Sequence, residues 1–238
     1  MTKEEMASGF RTGYAGFREI LACDDLETIR KTALSVHAQV HPAEVSGGKE
    51  KTAADLAFAQ MTAGRRNEIV PRQIWDTDLH YAGNDRVPTP WLFWHTSRIE
   101  DLVSNILMTD GKQIFDERWK KDIGSSITDT GNALTLAEAE AFCGKLDLDA
   151  LYAYMIEVGK NARKIMAGLS LEDLRSMVRE ETVMRILEEG GVTVDFRSVW
   201  LLVFCGRLTR AEMILTPLTF HHLMHFPVLL DRFPEIRI

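Results

Sequence analysis

The stretch PWLFWHTSRIEDLVSNIL, residues 90–107, sets the reading of this chain. Stepped at about 100° per residue, Leu92, Ile99, Leu102, Val103 and Ile106 fall on one arc, and His95 lies inside it. Thr89 reads as the N-cap and Pro90 as a first-turn proline, so a long amphipathic helix is predicted to run to about Met108. A second stretch, PLTFHHLMHFPVLL (217–230), repeats the pattern. Ile214, Leu218 and Leu229 fall on an arc centred close to His225, with His221 and His222 flanking it on either side. At least three histidines are therefore expected to point inward from two different helices. Taken singly, a histidine on an apolar face is more often a hydrogen-bonded core residue than a ligand. Three together are harder to accommodate, because each buried imidazole needs partners for both nitrogens. A metal ion satisfies one nitrogen of every ring at once. The HxxxH spacing of His221 and His225 places two rings one turn apart on one face, and a third imidazole from a facing helix completes a three-histidine set with an open position. His222 also faces inward and is an alternative partner for His225. The pattern lacks the glutamate of HExxH, so a zinc-protease reading has no support.

Outward from these two stretches the periodicity stays helical. DLETIRKTALSVHAQVH (25–41), capped by Asp24 or Asp25, ends before Pro42. EVSGGKEK (44–51) reads as a polar loop, and TAADLAFAQM (52–61) as a short helix capped by Thr52. Residues 62–89 read as a long irregular connection, and 109–135 as loop with one short helical piece. LTLAEAEAFCGKL (134–146) is a capped short helix. LDALYAYMIEVGKNARKIMAGL (148–169) is a third long helix with an apolar stripe of Leu151, Tyr154, Met155, Val158, Ala162, Ile165 and Met166. SLEDLRSMV and ETVMRILEEGG are short helices, the second stopped by a glycine pair. From Phe196 onward the chain is helical with breaks expected at Gly206, Pro217 and Pro227.

The 238 residues are 45% hydrophobic and 26% charged, which fits one domain, 1–238, with a core of its own. No apolar run approaches the roughly 18 residues of a membrane span, and no secretion signal opens the chain. The net charge of −7 is the wrong sign for a phosphate-backbone binder, so neither membrane nor nucleic acid is expected as a partner. Three scattered cysteines argue against a disulfide framework and for a reducing, cytoplasmic location.

Three segments resemble the DinB/YfiT-like metalloenzymes: PWLFWHTSRIEDL their second helix, YAYMIEVGKNARKIMAGLSLEDL their third, and LTRAEMILTPLTFHHLMHFPVLL their last, with its HxxxH. The resemblance covers the core helices and leaves out much of the loops. It implies an all-α four-helix bundle in up-down-down-up order, with a long crossover and extra short helices in the connections. It also implies a divalent transition metal, zinc or nickel, held by His95, His221 and His225; the family spacing favours His221 over His222. Some relatives are transferases or isomerases that use a low-molecular-weight thiol, so a small-molecule substrate of that kind is implied, and a homodimer is compatible with the likeness. Pro227, two residues after His225, disfavours helical geometry at Phe226 and places the second ligand at a kink.

Other residues have blander readings. His37 and His41 form a second HxxxH, with His41 placed at a helix C-terminus where the dipole favours a charged ring. His37 is kept as a residue lining the site. His80 reads as solvent-exposed. Arg98, Glu100 and Asp101 read as structural ion pairs, with the two acids facing away from the apolar arc. Cys23 and Cys143 read as small apolar fillers and Cys205 as packed. No general base and no catalytic residue can be named, and no organic cofactor is expected. The competing reading is a non-catalytic protein, metal-stabilised or an interaction protein of the bacterial stress response.

Overall fold

The computed structural model describes residues 3–72 and 86–226, and among them helix dominates. His80, Pro227 and Leu229 lie outside the described residues. In chain order the helices are α1 (Lys3–Ala22), α2 (Leu26–Val40), α3 (Ala43–Ser46) and α4 (Ala53–Gln60). After a two-stranded ribbon, β1 (Ile69–Pro71) with β2 (Arg86–Pro88), come α5 (Thr89–Asp101), α6 (Glu117–Ile123), α7 (Leu136–Cys143) and α8 (Leu148–Gly168). The last five are α9 (Leu171–Arg175), α10 (Glu180–Glu188), α11 (Phe196–Cys205), α12 (Arg210–Leu215) and α13 (His221–His225).

Local chemistry explains most starts. Asp25 accepts from the Glu27 and Thr28 amides at the head of α2. Thr52, Thr135, Ser170 and Thr209 each form a capping box with the acid three residues on, a device worth about 1 kcal/mol per helix end. Four expectations need correction. The segment before Asp24, for which no helix was expected, forms α1, whose Phe17 is buried and stacks near Phe220. Residues 44–46, expected as the start of a loop, belong to α3, which is closed by Gly47 in the left-handed region. The connection 62–89 contains the antiparallel ribbon, in which Ile69 pairs with Pro88 and Pro71 with Arg86. Helix α5 is capped at Pro88 rather than Thr89, whose hydroxyl instead donates to the Glu68 carbonyl at 3.2 Å.

Helix α5 is the centre of the molecule. Every residue from Trp91 to Asp101 is buried, so it is covered on all sides and not along one stripe. Its neighbour α8 presents the predicted stripe, with all members buried except the half-buried Ile165. Polar pins join the two. Arg98 Nη1 donates to the Tyr154 hydroxyl at 2.9 Å, and Asn161 Nδ2 to Asn105 Oδ1 at 2.7 Å. Between α2 and α8, Arg30 donates to the Leu169 carbonyl at 2.7 Å and Arg163 to that of Leu34 at 2.6 Å. Helices α12 and α13 continue one another through a widened π turn, Thr216–Phe220, and this rod packs on α1, α2 and α5.

Glu100 and Asp101 do not face away from the core; both are fully buried. Asp101 accepts from Arg98 at 3.0 Å, from the Tyr154 hydroxyl at 2.6 Å and from the amides of Ile114 and Phe115 at 2.8 and 2.9 Å. This ion pair is structural, as expected of Arg98. It fixes the 113–115 segment against α5 and α8.

Candidate metal centre

His95 from α5 and His221 and His225 from α13 meet inside the rod-to-α5 contact. The Nε2 atoms of His95 and His221 are 3.2 Å apart, and those of His225 and His221 3.0 Å. His95 and His225 are each 2% exposed, whereas His221 keeps partial access to solvent. The three residues predicted as ligands are thus brought together with one nitrogen each within 4.8 Å of the others.

The far side of two rings fixes the tautomer. His95 Nδ1 lies 3.0 Å from the Thr130 carbonyl and His225 Nδ1 2.5 Å from the Arg72 carbonyl. A carbonyl only accepts, so both Nδ1 atoms carry hydrogen. In a neutral ring the lone pair is then at Nε2. Burial holds His95 well below the ordinary histidine range, assisted by His225, His221 and Arg72, and brings His225 down to about 3. His221 is likewise held well below that range, chiefly by burial and then by His225 and His222. The rings are neutral at pH 7, and the lone pairs of His95 and His225 both aim at His221 Nε2. A single N–H there serves one of them at a time. A divalent ion serves all three: with Zn–N bonds of about 2.0–2.1 Å, tetrahedral geometry sets ligand nitrogens about 3.3 Å apart, near the spacing of the rings. The donor set fits such an ion.

The His95 ring is aimed by a run of four consecutive carbonyls that no sequence pattern announced. Arg98 Nε donates to Thr128 O, Trp94 Nε1 to Asp129 O and His95 Nδ1 to Thr130 O, each at 3.0 Å, and Trp91 Nε1 to Gly131 O at 3.1 Å. Positions 91, 94, 95 and 98 share one face of α5, which therefore reads off the 128–131 backbone as a ladder. Gly131 has φ +74°, and a Cβ there would sit 2.7 Å from Trp91 Nε1, so only glycine suits. Trp91 stacks on His95, with centroids 4.3 Å apart and planes at 11°, and the Arg72 guanidinium lies 4.5 Å over the Trp91 ring. Such partners of the ligand rings commonly govern metal affinity.

The remaining histidines divide in a way the sequence did not indicate. His222 is not part of the trio. It lies with His37, His41 and Glu100 in a second, fully buried cluster. His37 does not line the first centre, and His41, which closes α2 as expected, is fully buried. Their HxxxH spacing was the available signal, masked by the position of His41 beside Pro42. Burial brings the His37 ring down to about 3, assisted by His41. Burial alone would raise the Glu100 carboxyl, but attraction to His41 and hydrogen bonds with His222, His37 and His41 outweigh it and hold the group well below the usual range. Cys143 and Cys205 are buried as expected, whereas Cys23 is only partly so. Burial drives Cys143 and Cys205 up to about 12, which disfavours their thiolate forms.

Comparison of the chain with protein-family models, with curated proteins and with solved structures finds no match. Among the described residues no helix is long and apolar enough to cross a membrane.

Proposed function

We propose that the chain is a DinB-like four-helix bundle whose working centre is a divalent transition metal, zinc or nickel, held by His95, His221 and His225. The convergence of three Nε2 atoms, two of them locked as lone-pair donors by backbone carbonyls, carries this reading.

The bundle order up-down-down-up is supported by the pairing of α2, α5, α8 and the α12–α13 rod. Contacts of α5 and its π-helical continuation, Leu102–Leu107, with α8 advance in step, residue 98 with 154 and 105 with 161. Those between α2 and α8 run in opposition, 30 with 169 and 34 with 163. Those between α5 and the rod also oppose, Met108 with Arg210 and His95 with His221.

For chemistry we favour transfer to, or isomerisation through, a small thiol. The bound ion supplies a Lewis acid of full charge, since its imidazole ligands are neutral. The chain supplies the rest. Partial exposure of His221 marks the side on which a small molecule reaches the centre. Trp91 and its neighbours exclude water behind His95, and Arg72 adds positive charge beside the trio that suits an anionic partner. The thiol comes from the substrate side, because the buried cysteines are held protonated.

The test is metal analysis of tag-free protein before and after chelator dialysis, followed by reloading. His95→Ala and His225→Ala should each lose the equivalent bound by the trio, and the reloaded wild type should turn over a small thiol with an electrophile. Unchanged occupancy in both variants rejects the ligand assignment. Full occupancy without turnover rejects the catalytic part alone.

A further inference from the structure

The second cluster is built from α2, α5 and α13. His37 Nε2 lies 2.8 Å from Glu100 Oε1, and His41 Nε2 lies 2.7 Å from Glu100 Oε2. The two rings stack with centroids 3.7 Å apart and planes at 10°, so both Nε2 atoms face one carboxylate. His222 joins from the rod, its Nε2 3.4 Å from Glu100 Oε2 and its ring 4.4 Å from that of His41. All four side chains are fully buried. The approach of α2 depends on α8: a Cβ at Gly159 would lie 3.1 Å from His41 Cδ2 and 3.0 Å from Val45 Cγ1.

Counting hydrogens shows a deficit. His41 Nδ1 lies 2.8 Å from the His37 carbonyl, which only accepts. Its Nε2 faces a carboxylate oxygen, which accepts when ionised. A neutral ring has one N–H for these two acceptors. Among the described residues, His37 Nδ1 and His222 Nδ1 have no hydrogen-bond partner, and His222 Nε2 has only its long 3.4 Å contact with Glu100. One carboxylate buried among three imidazoles calls for a single positive charge beside it, and polar atoms left unsatisfied are costly away from water. A cation between the Nε2 atoms and the carboxylate supplies that charge, engages His222 Nε2 and leaves His41 Nδ1–H donating to the His37 carbonyl, the arrangement that orients ligand histidines elsewhere.

We propose that His37, His41 and Glu100, with His222 as a fourth donor, form a second divalent-metal site beside the histidine trio. One nitrogen from each of His37 and His41 and one oxygen from Glu100 lie within 4.8 Å of one another. The mixed nitrogen and oxygen donors suit zinc, cobalt, iron or manganese. The carboxylate reduces the charge of a bound dication to +1, whereas the trio leaves it at +2. The two centres are coupled through one peptide unit, since His221 serves the first and His222 the second, with ring centroids 6.3 Å apart.

The experiment loads the full chain with Co²⁺ or Zn²⁺, removes free metal by desalting, and reads equivalents by elemental analysis and the Co²⁺ ligand-field spectrum. Wild type should retain two equivalents, and Glu100→Gln one, with the spectrum of a site having only nitrogen ligands from the protein. His95→Ala should retain one equivalent whose spectrum differs from that left in Glu100→Gln. Glu100→Gln that binds as much metal as wild type overturns the second site, as does His95→Ala that binds none. Should Glu100→Gln not unfold cooperatively, the His95→Ala arm decides alone. The trio fails separately, if His95→Ala binds as much as wild type while Glu100→Gln loses an equivalent.

Discussion

His221 and His222 are adjacent in the chain, yet their ring planes stand at 85° and they belong to different buried clusters. The turn that divides them is the last piece of a rod that begins at Arg210 and passes through the π turn Thr216–Phe220. Pro217 has no N–H to offer the preceding turn, and the backbone widens there. Thr219 Oγ1 donates to the carbonyls of Ile214 and Leu215, both at 2.8 Å. The extra residue in that turn shifts the phase of everything after it, and so decides which histidine meets His95.

Zinc should raise the thermal midpoint of the wild type and of His222→Ala. At a free concentration one hundred times the Kd, a site that exists only in the folded state adds about 2.7 kcal/mol. With the second site silenced by Glu100→Gln, a further His225→Ala change should abolish this shift. Calorimetric scans with and without zinc check it; a shift that survives both changes places the metal elsewhere.

Asp101→Ala should destabilise the fold by about 3–5 kcal/mol, because it leaves the buried Arg98 guanidinium without its carboxylate and frees the 114–115 amides. Urea titration measures this. A loss under 1 kcal/mol would show that water or another group takes over the role of Asp101.

Gly131→Ala should cost about 1–3 kcal/mol from the left-handed backbone, with further strain where its Cβ meets Trp91. It should also weaken metal binding at the trio by about 10–100-fold, since the Thr130 carbonyl that holds His95 shifts with it. Competition with a coloured chelator reads the affinity. Wild-type affinity in a stable variant would mean that the ladder does not aim the ring.

The metal-free protein should lose stability as pH falls. His225 and His37 titrate near 3 when folded and near 6.5 when unfolded. Between those values the unfolded chain binds more protons, so unfolding free energy rises with pH across the window and is unaffected by these groups above it. Urea midpoints of chelator-treated protein should therefore be level above about pH 7 and fall steadily towards pH 4. A flat profile through pH 5 would mean that the rings are charged in the fold.

Native protein should react quickly with a thiol reagent at Cys23 alone, because Cys143 and Cys205 are buried and their thiols pushed up to about 12. Unfolded protein should titrate all three cysteines in the sequence. Mass mapping of the modified sites distinguishes these states.

The helical character of the chain was legible because it is written locally. Asp25, Thr52 and Thr135 cap the helices they head, and the stripe from Leu151 to Met166 repeats at helical spacing. The candidate ligands His95 and His225 were legible for the same reason, an imidazole inside an apolar arc costing free energy wherever the helix packs, while the choice of His221 over His222 came from the family resemblance. What failed was the assumption of one buried face. Glu100 and Asp101 lie outside the apolar arc of α5, and only the packing of other elements on every side of that helix shows that they are interior.

The sequence by itself determined most of the helices, though not α1 or α3, and which rings need a partner, since propensity, capping and periodicity act within a few residues. Tertiary structure alone decided how the partners are shared. The four carbonyls of 128–131 come from a loop some thirty residues beyond the side chains they receive, and Glu100 meets His37 and His41 across about sixty residues of chain. No local pattern encodes such pairings, because they arise when helices far apart in sequence exclude water from a common interior, and each buried polar atom must then find its partner in whatever the packing brings near.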